Sequence, residues 1–360
     1  MKENRTNYKL PKFVGFFLIL FLLADLGFSA LQHYHRELDG DIANLTLPGP
    51  GYQQIFDNPF GADALLKGER YAGTNRYFSH LATKAYFDYS PPFFQLFVAP
   101  IESLYIANSA IKILLQVGFI FILALYTQEQ NKVHWSQWIG TAALASVLFQ
   151  TFGNRMVMGI IDPATTYNFF YAFPSLGCLL FFLPFYRVIM HDFQPKRPFW
   201  VGIYLFTLGI VLNFSGPLVA PIFLLFGSGL LSIVTYQLWK GQNKTPFLWI
   251  VILISTCLLA VYSLWLGTFN SEAGIVDLPL SERYVQLING FRTVLKNKPG
   301  LSLLISLTVL NTYLLARSGK KERKFLMLVL FLFSLSVLYL FLLLQGIPAN
   351  DLRSIGPVTT

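Results

Sequence analysis

Residues 13–31 read Phe-Val-Gly-Phe-Phe-Leu-Ile-Leu-Phe-Leu-Leu-Ala-Asp-Leu-Gly-Phe-Ser-Ala-Leu, with Asp25 as the one charge. A run of about 20 apolar residues is what crosses the ~30 Å hydrocarbon core of a bilayer. Basic residues Lys2, Arg5, Lys9 and Lys12 precede it, and the small pair Ser29-Ala30 closes it. The apolar stretch is long for a signal peptide, so it reads as an uncleaved anchor. Similar runs recur along the 360 residues. The chain is 54% hydrophobic and 12% charged, against roughly a quarter charged in soluble domains. That excludes a disordered protein and disfavours a soluble enzyme.

The expected fold is an all-α polytopic membrane protein, one membrane domain over 1–360. Nine transmembrane helices are expected near 13–31, 104–126, 135–152, 169–190, 199–215, 217–239, 246–266, 299–316 and 325–346. The N-terminus and the short loops of one side, with Arg187, hold 15 of the 27 lysines and arginines. Short basic loops face the cytoplasm. The expectation is therefore an integral plasma or inner-membrane protein with a cytoplasmic N-terminus. The long segments 32–103 and 267–298 then lie on the extracytoplasmic side. The net charge of +9 needs no nucleic-acid partner, since juxtamembrane lysines and arginines account for it. Cys178 and Cys257 lie in apolar runs and read as buried hydrophobes. Nine spans leave the C-terminus outside, so the chain reads as a compact protein or as a C-terminally truncated one.

The longest connection, 32–103, carries Glu37, Asp39 and Asp41 directly after the first span. Three carboxylates this close repel one another, and a membrane boundary adds to the cost of their charge. Such groups suit proton abstraction from a hydroxyl, or a divalent cation held by Asp39 and Asp41. The plainer alternative is a solvated acidic turn that caps the next element. Short interfacial helices are expected from Asn58-Pro59 to Lys67 and from Asn75 to Phe87. After them, Pro91-Pro92 is expected to break the helix and turn the chain into the membrane.

An acidic pair in the first outward loop, interfacial helices and Ser90-Pro91-Pro92-Phe93 together resemble the GT-C superfamily of membrane glycosyltransferases. The resemblance covers about the first 130 residues. Ser90-Pro91-Pro92-Phe93 is similar to the His-Pro-Pro-Leu motif of several members. Ser90 stands where His is common, so that histidine's role does not carry over. The resemblance implies transfer of a sugar from a polyprenyl-phosphate-linked donor to an acceptor hydroxyl on a glycan, lipid or protein at the outer face. It implies a base or metal-associated carboxylate at Asp39 or Asp41, with Glu37 tuning them.

Glycosyl transfer also needs a cation for the departing phosphate. Arg36, Arg76 and Lys84 are candidates, as are Arg292 and Lys296, four apart on an amphipathic helix expected over 281–297. Snorkelling at the headgroups is the plainer reading of each. Within the second span, Glu102, Tyr105, Ser109, Lys112 and Gln116 form one stripe, with Asn108 alongside. A charge there is costly and reads as a cavity wall or as a pairing between spans, for instance with Asp25. Asp162, before Pro163, is a further site candidate or a helix cap. Two rival functions remain. A transporter or lipid flippase uses Asp25 and Lys112 as pathway residues and leaves the acidic loop idle, and in a non-enzymatic envelope polysaccharide assembly or export subunit the acids are surface solvation.

Overall fold

Long runs of Leu, Ile, Val and Phe lack the alternation of strands and carry few helix breakers, so they fold as helices. In the computed structural model, the residues described are 11–128, 135–149, 160–191 and 193–272, with scattered positions between 279 and 317. Helix accounts for 77% of the structure. No strand is present among the described residues, and one isolated bridge joins Tyr71 to Asn270. The helices are α1 Lys12–Tyr34, α2 Asp41–Thr46, α3 Pro50–Asp57, α4 Ala62–Lys67, α5 Tyr77–Phe94, α6 Pro100–Tyr126 and α7 Trp135–Ser146. They are followed by α8 Thr165–Tyr167, a π-helical segment Asn168–Ala172, α9 Phe173–His191, α10 Pro198–Asn213, α11 Val219–Trp239 and α12 Phe247–Gly267.

Among the described residues, five helices are long and apolar enough to cross a membrane: α1, α6, α11, α12 and the continuous rod Thr165–His191 that contains α8 and α9. Nine were expected. Helix α10 is apolar but has only 16 residues. The run 135–152 is described as far as Phe149, as α7 and a 3-10 turn at Val147–Phe149, and 150–152 lie outside the described residues. The runs at 299–316 and 325–346 lie largely or wholly outside the described residues. Apolar side chains such as Phe13, Leu23, Leu114 and Leu258 are exposed on the long helices. A lipid-facing surface has this character, because hydrocarbon solvates them and the helix satisfies its own backbone.

Helices α9 to α12 share one apolar core around Phe181, Phe185, Phe223 and Trp249. Helices α5, α6 and α7 and the start of the Thr165 rod share a second, around Phe87, Phe119 and Phe169. Helix α1 lies against α6 and α7. Close approach in the first core depends on a small residue at Gly209. A Cβ there would lie 2.8 Å from Thr256 Oγ1 on α12. Small residues at helix crossings let backbones approach closely where lipid supplies no hydrophobic drive.

The segment between α1 and α5 folds over one end of the bundle, hereafter the loop end. Ile55, Ala64 and Tyr71 pack on Phe214 and Leu266, at the ends of α10 and α12. Gly61 sits at φ +74°, where side chains are disfavoured, and an added Cβ would collide with the Leu266 side chain. Thr74 Oγ1 donates to the Leu266 carbonyl at 2.6 Å, and Asn75 Nδ2 to the Ser263 carbonyl at 3.0 Å. The backbone N–H of Gly73 donates to Asn270 Oδ1 at 2.9 Å.

Helix α4 ends on left-handed Gly68 at the residue expected. Helix α5 differs from expectation in two ways. Pro91 and Pro92 lie inside it, and the chain turns only at 95–99. Both prolines sit in its last turn, where their carbonyls still accept; the Gln95 N–H donates to Pro91 O at 2.9 Å. Its buried stripe also mixes polar residues with Phe87 and Pro91. Ser79, His80 and Thr83 point inward, while Leu81, Tyr89 and Phe93 are exposed.

Candidate functional site

Asp39, Lys112 and Asp162 are far apart in sequence and meet at the loop end. One oxygen of Asp39 accepts from the Thr166 N–H at 3.0 Å, and the Thr166 hydroxyl donates to the same oxygen. Its other oxygen accepts the Asp41 N–H at 3.1 Å. Asp39 therefore caps two helices at once, α2 and the rod that starts at Thr165, where a carboxylate also suits the helix dipole.

Lys112 is fully buried on α6, and its ammonium donates to the Pro163 carbonyl. Asp162 and Asp39 are its nearest opposite charges. Asp162 Oδ1 accepts the Ala164 N–H at 2.8 Å, and burial raises its carboxyl above the usual carboxylate range. Asn168 closes the turn: its Oδ1 accepts the Asp162 N–H at 2.9 Å, and its Nδ2 donates to the Asp162 carbonyl at 2.8 Å. The Thr165 hydroxyl donates to Asn108 Oδ1, which fastens the same turn to α6. The expected α6 stripe is thus buried at Asn108, Ser109, Lys112 and Gln116, whereas Glu102 is exposed. Lys112 thus binds a backbone carbonyl of the turn, and Asp162 accepts a backbone N–H within it.

A second group lies beside the first. Tyr52 on α3 donates its hydroxyl to Glu272 Oε1 at 2.6 Å. Arg76, the residue before α5, lies 3.6 Å from Glu272 Oε2 and 5.7 Å over the Phe170 ring. His80 is packed between Tyr52 and Phe170, with ring centroids 5.7 and 5.1 Å away. It is 2% exposed, and its Nδ1 has no hydrogen-bond partner among the described residues. Burial and then the Arg76 charge lower its pKa to about 3. The Tyr52 hydroxyl is pushed up to about 12, chiefly by its bond to Glu272. Asp41 adds to that shift.

Asp41 opens α2, two residues after Asp39. Its residue is exposed, and its carboxylate has no hydrogen-bond partner among the described residues. Glu37 is exposed and Arg36 half-buried, the latter within electrostatic reach of Lys112. Lys84 is engaged elsewhere, donating to Thr46 O at 3.0 Å and Asp88 Oδ2 at 2.9 Å. Arg292 is exposed, and Lys296 lies outside the described residues. Among the described residues no three His, Cys, Asp or Glu converge as a metal site requires. Asp39 already spends both oxygens on protein donors. This donor set does not fit a resident divalent cation held by Asp39 and Asp41.

Two apolar grooves run along α6, one of about 610 Å³ between α1 and α6 and one of about 440 Å³ between α5 and α6, behind Tyr86 and Phe93. Ala110 and Leu114 line both. Sequence reasoning missed Thr166, Asn168, His80 and Glu272. Their roles arise from contacts between distant segments, and only the polar character of Thr165-Thr166 and Asn168 in an apolar run signalled them. Compared with known protein families, curated proteins and solved structures, the chain matches none.

Proposed function

We propose that this protein is a membrane glycosyltransferase of GT-C type, acting at the extracytoplasmic face on a polyprenyl-phosphate-linked sugar. The observation that carries the reading is an exposed Asp41 carboxylate at the start of α2, on a loop end that is braced by Asp39 and that also carries Arg76. Asp41 takes the proton of an acceptor hydroxyl. The hydroxyl oxygen forms the new bond to the sugar's anomeric carbon, the bond from that carbon to the phosphate oxygen breaks, and Arg76 faces the charge left on the phosphate. Asp39 is a positioning residue, which the two bonds from Thr166 support. The apolar grooves along α6 suit an isoprenoid tail.

The transport reading has less support. Lys112 is fully buried and spends its charge on a turn, which suits a brace better than a pathway.

The test is transfer from a fluorescent or radiolabelled polyprenyl-phosphate sugar by full-length protein in nanodiscs. Wild type transfers label to acceptor and Asp41→Asn loses at least about 100-fold while melting normally. Undiminished transfer by Asp41→Asn would remove the reading.

A further inference from the structure

Arg76 is poorly satisfied for a half-buried guanidinium. Its ion pair with Glu272 is 3.6 Å long, its plane lies over Phe170, and its side chain is 22% exposed. Five N–H donors in a planar fork normally find closer acceptors. Glu272 is held more tightly by Tyr52 than by Arg76. The two donors nonetheless face the two oxygens of one carboxylate. Tyr52 meets Oε1 and Arg76 meets Oε2. A carboxylate and a phosphate monoester present oxygens to donors in much the same way.

We infer that Tyr52 and Arg76 form an oxyanion site for a phosphate monoester, which the Glu272 carboxylate fills in the free protein and vacates when that ligand binds. The inference rests on the glycosyltransferase reading for the identity of the ligand, a phosphate on an isoprenoid chain.

The surroundings support an exchange. The Tyr52 hydroxyl is a donor to Glu272, and a phenol ordinarily titrates at about 10, so it stays protonated at physiological pH whichever oxyanion accepts from it. Phe170 and His80 wall the site on the protein side, and His80 stays neutral there, so Arg76 carries the positive charge. Glu272 side-chain exposure of 38% leaves it free to swing into water without a desolvation cost. An internal carboxylate also keeps small anions off the site at low concentration. Displacing it makes binding selective for ligands that bring a second source of affinity, such as a tail in the grooves beside α6.

The experiment measures dissociation constants for citronellyl phosphate and for inorganic phosphate with full-length protein in nanodiscs. Glu272→Gln is isosteric and keeps an acceptor for Tyr52. It is expected to tighten both probes about three- to tenfold by removing the competing charge. Arg76→Gln weakens both, and Arg76→Gln/Glu272→Gln behaves as Arg76→Gln alone. A tightening confined to citronellyl phosphate supports a lipid-borne phosphate as the ligand; equal tightening supports a general phosphate site. If Glu272→Gln leaves both constants unchanged or weaker at an unaltered melting temperature, Glu272 is a structural tie and the inference fails. Binding needs no sugar, so this result is separate from the transfer assay. Transfer with no Glu272 effect retains the enzyme reading alone. A Glu272 effect without transfer retains the anion site alone.

Discussion

Thr166 gives both its backbone N–H and its hydroxyl to a single oxygen of Asp39, across 127 positions of sequence. That junction fixes where α2 begins relative to the Thr165 rod, and with it where Asp41 stands. The two acids of the loop therefore divide the work. One is consumed by the fold and the other stays open to solvent.

Asp39→Ala removes an acceptor for three donors and leaves the Thr166 pair partly buried. The expected cost is about 2–3 kcal/mol, seen as a lower melting temperature in detergent. Asp41→Asn, with no such partners, should melt within about 0.5 kcal/mol of wild type. Equal destabilisation by both changes would refute the division of roles.

Lys112 is a fully buried cation within electrostatic reach of both Asp162 and Asp39. Lys112→Met leaves those carboxylates without a counter-charge, at a cost of about 3 kcal/mol. Adding Asp162→Asn, which keeps an acceptor for the Ala164 N–H, should restore about 1 kcal/mol of it. A double-mutant cycle by chemical denaturation reads the coupling, and strict additivity would mean the two side chains do not interact.

His80 makes the loop end sensitive to acid. Its pKa is 6.5 when unfolded and about 3 in the fold. The unfolded chain therefore binds the proton first, and stability falls as pH drops from about 6.5 toward 3. Asp162 has the opposite sign, because its raised pKa makes the folded state the better proton acceptor above 3.8. Melting curves from pH 7 to 4 should fall less steeply for His80→Gln than for wild type. An unchanged slope would mean His80 titrates normally.

Gly209 faces Thr256 where α10 crosses α12. Gly209→Val forces the helices apart at an expected cost of about 1–3 kcal/mol, without touching the loop end. Thermal denaturation should register the loss, while binding of citronellyl phosphate at low temperature stays unchanged. A stable Gly209→Val protein would indicate that the crossing has slack.

Hydropathy made the long helices legible. The expected spans at 13–31, 104–126, 217–239 and 246–266 match α1, α6, α11 and α12 to within a few residues. Length and composition are local properties, and a lipid-solvated helix needs little more. The Lys112 stripe was legible for a related reason, since a period near 3.6 and the cost of a bare charge both mark an inward face. The inward face of α5 was not. Ser79, His80 and Thr83 are polar in sequence, yet the carbonyls of Phe169 and Ser215 lie 3.0 and 2.6 Å from the Ser79 hydroxyl and make burial favourable. Asp39, Lys112 and Asp162 were each singled out, but their meeting depends on how three loops pack, for which no periodicity exists.

The π-helical turn at Asn168–Ala172 acts as a phase adjuster. It holds one residue more than a regular turn would, and each residue of an α-helix is worth about 100° of rotation. Deleting a single residue there would leave the apolar rod as long and as hydrophobic as before, yet swing Thr165 and Thr166 to another side of it. Asn108 and Asp39 would then face the wrong side chains. The alignment of the loop end is thus written in a count of residues, which no change of polarity could replace.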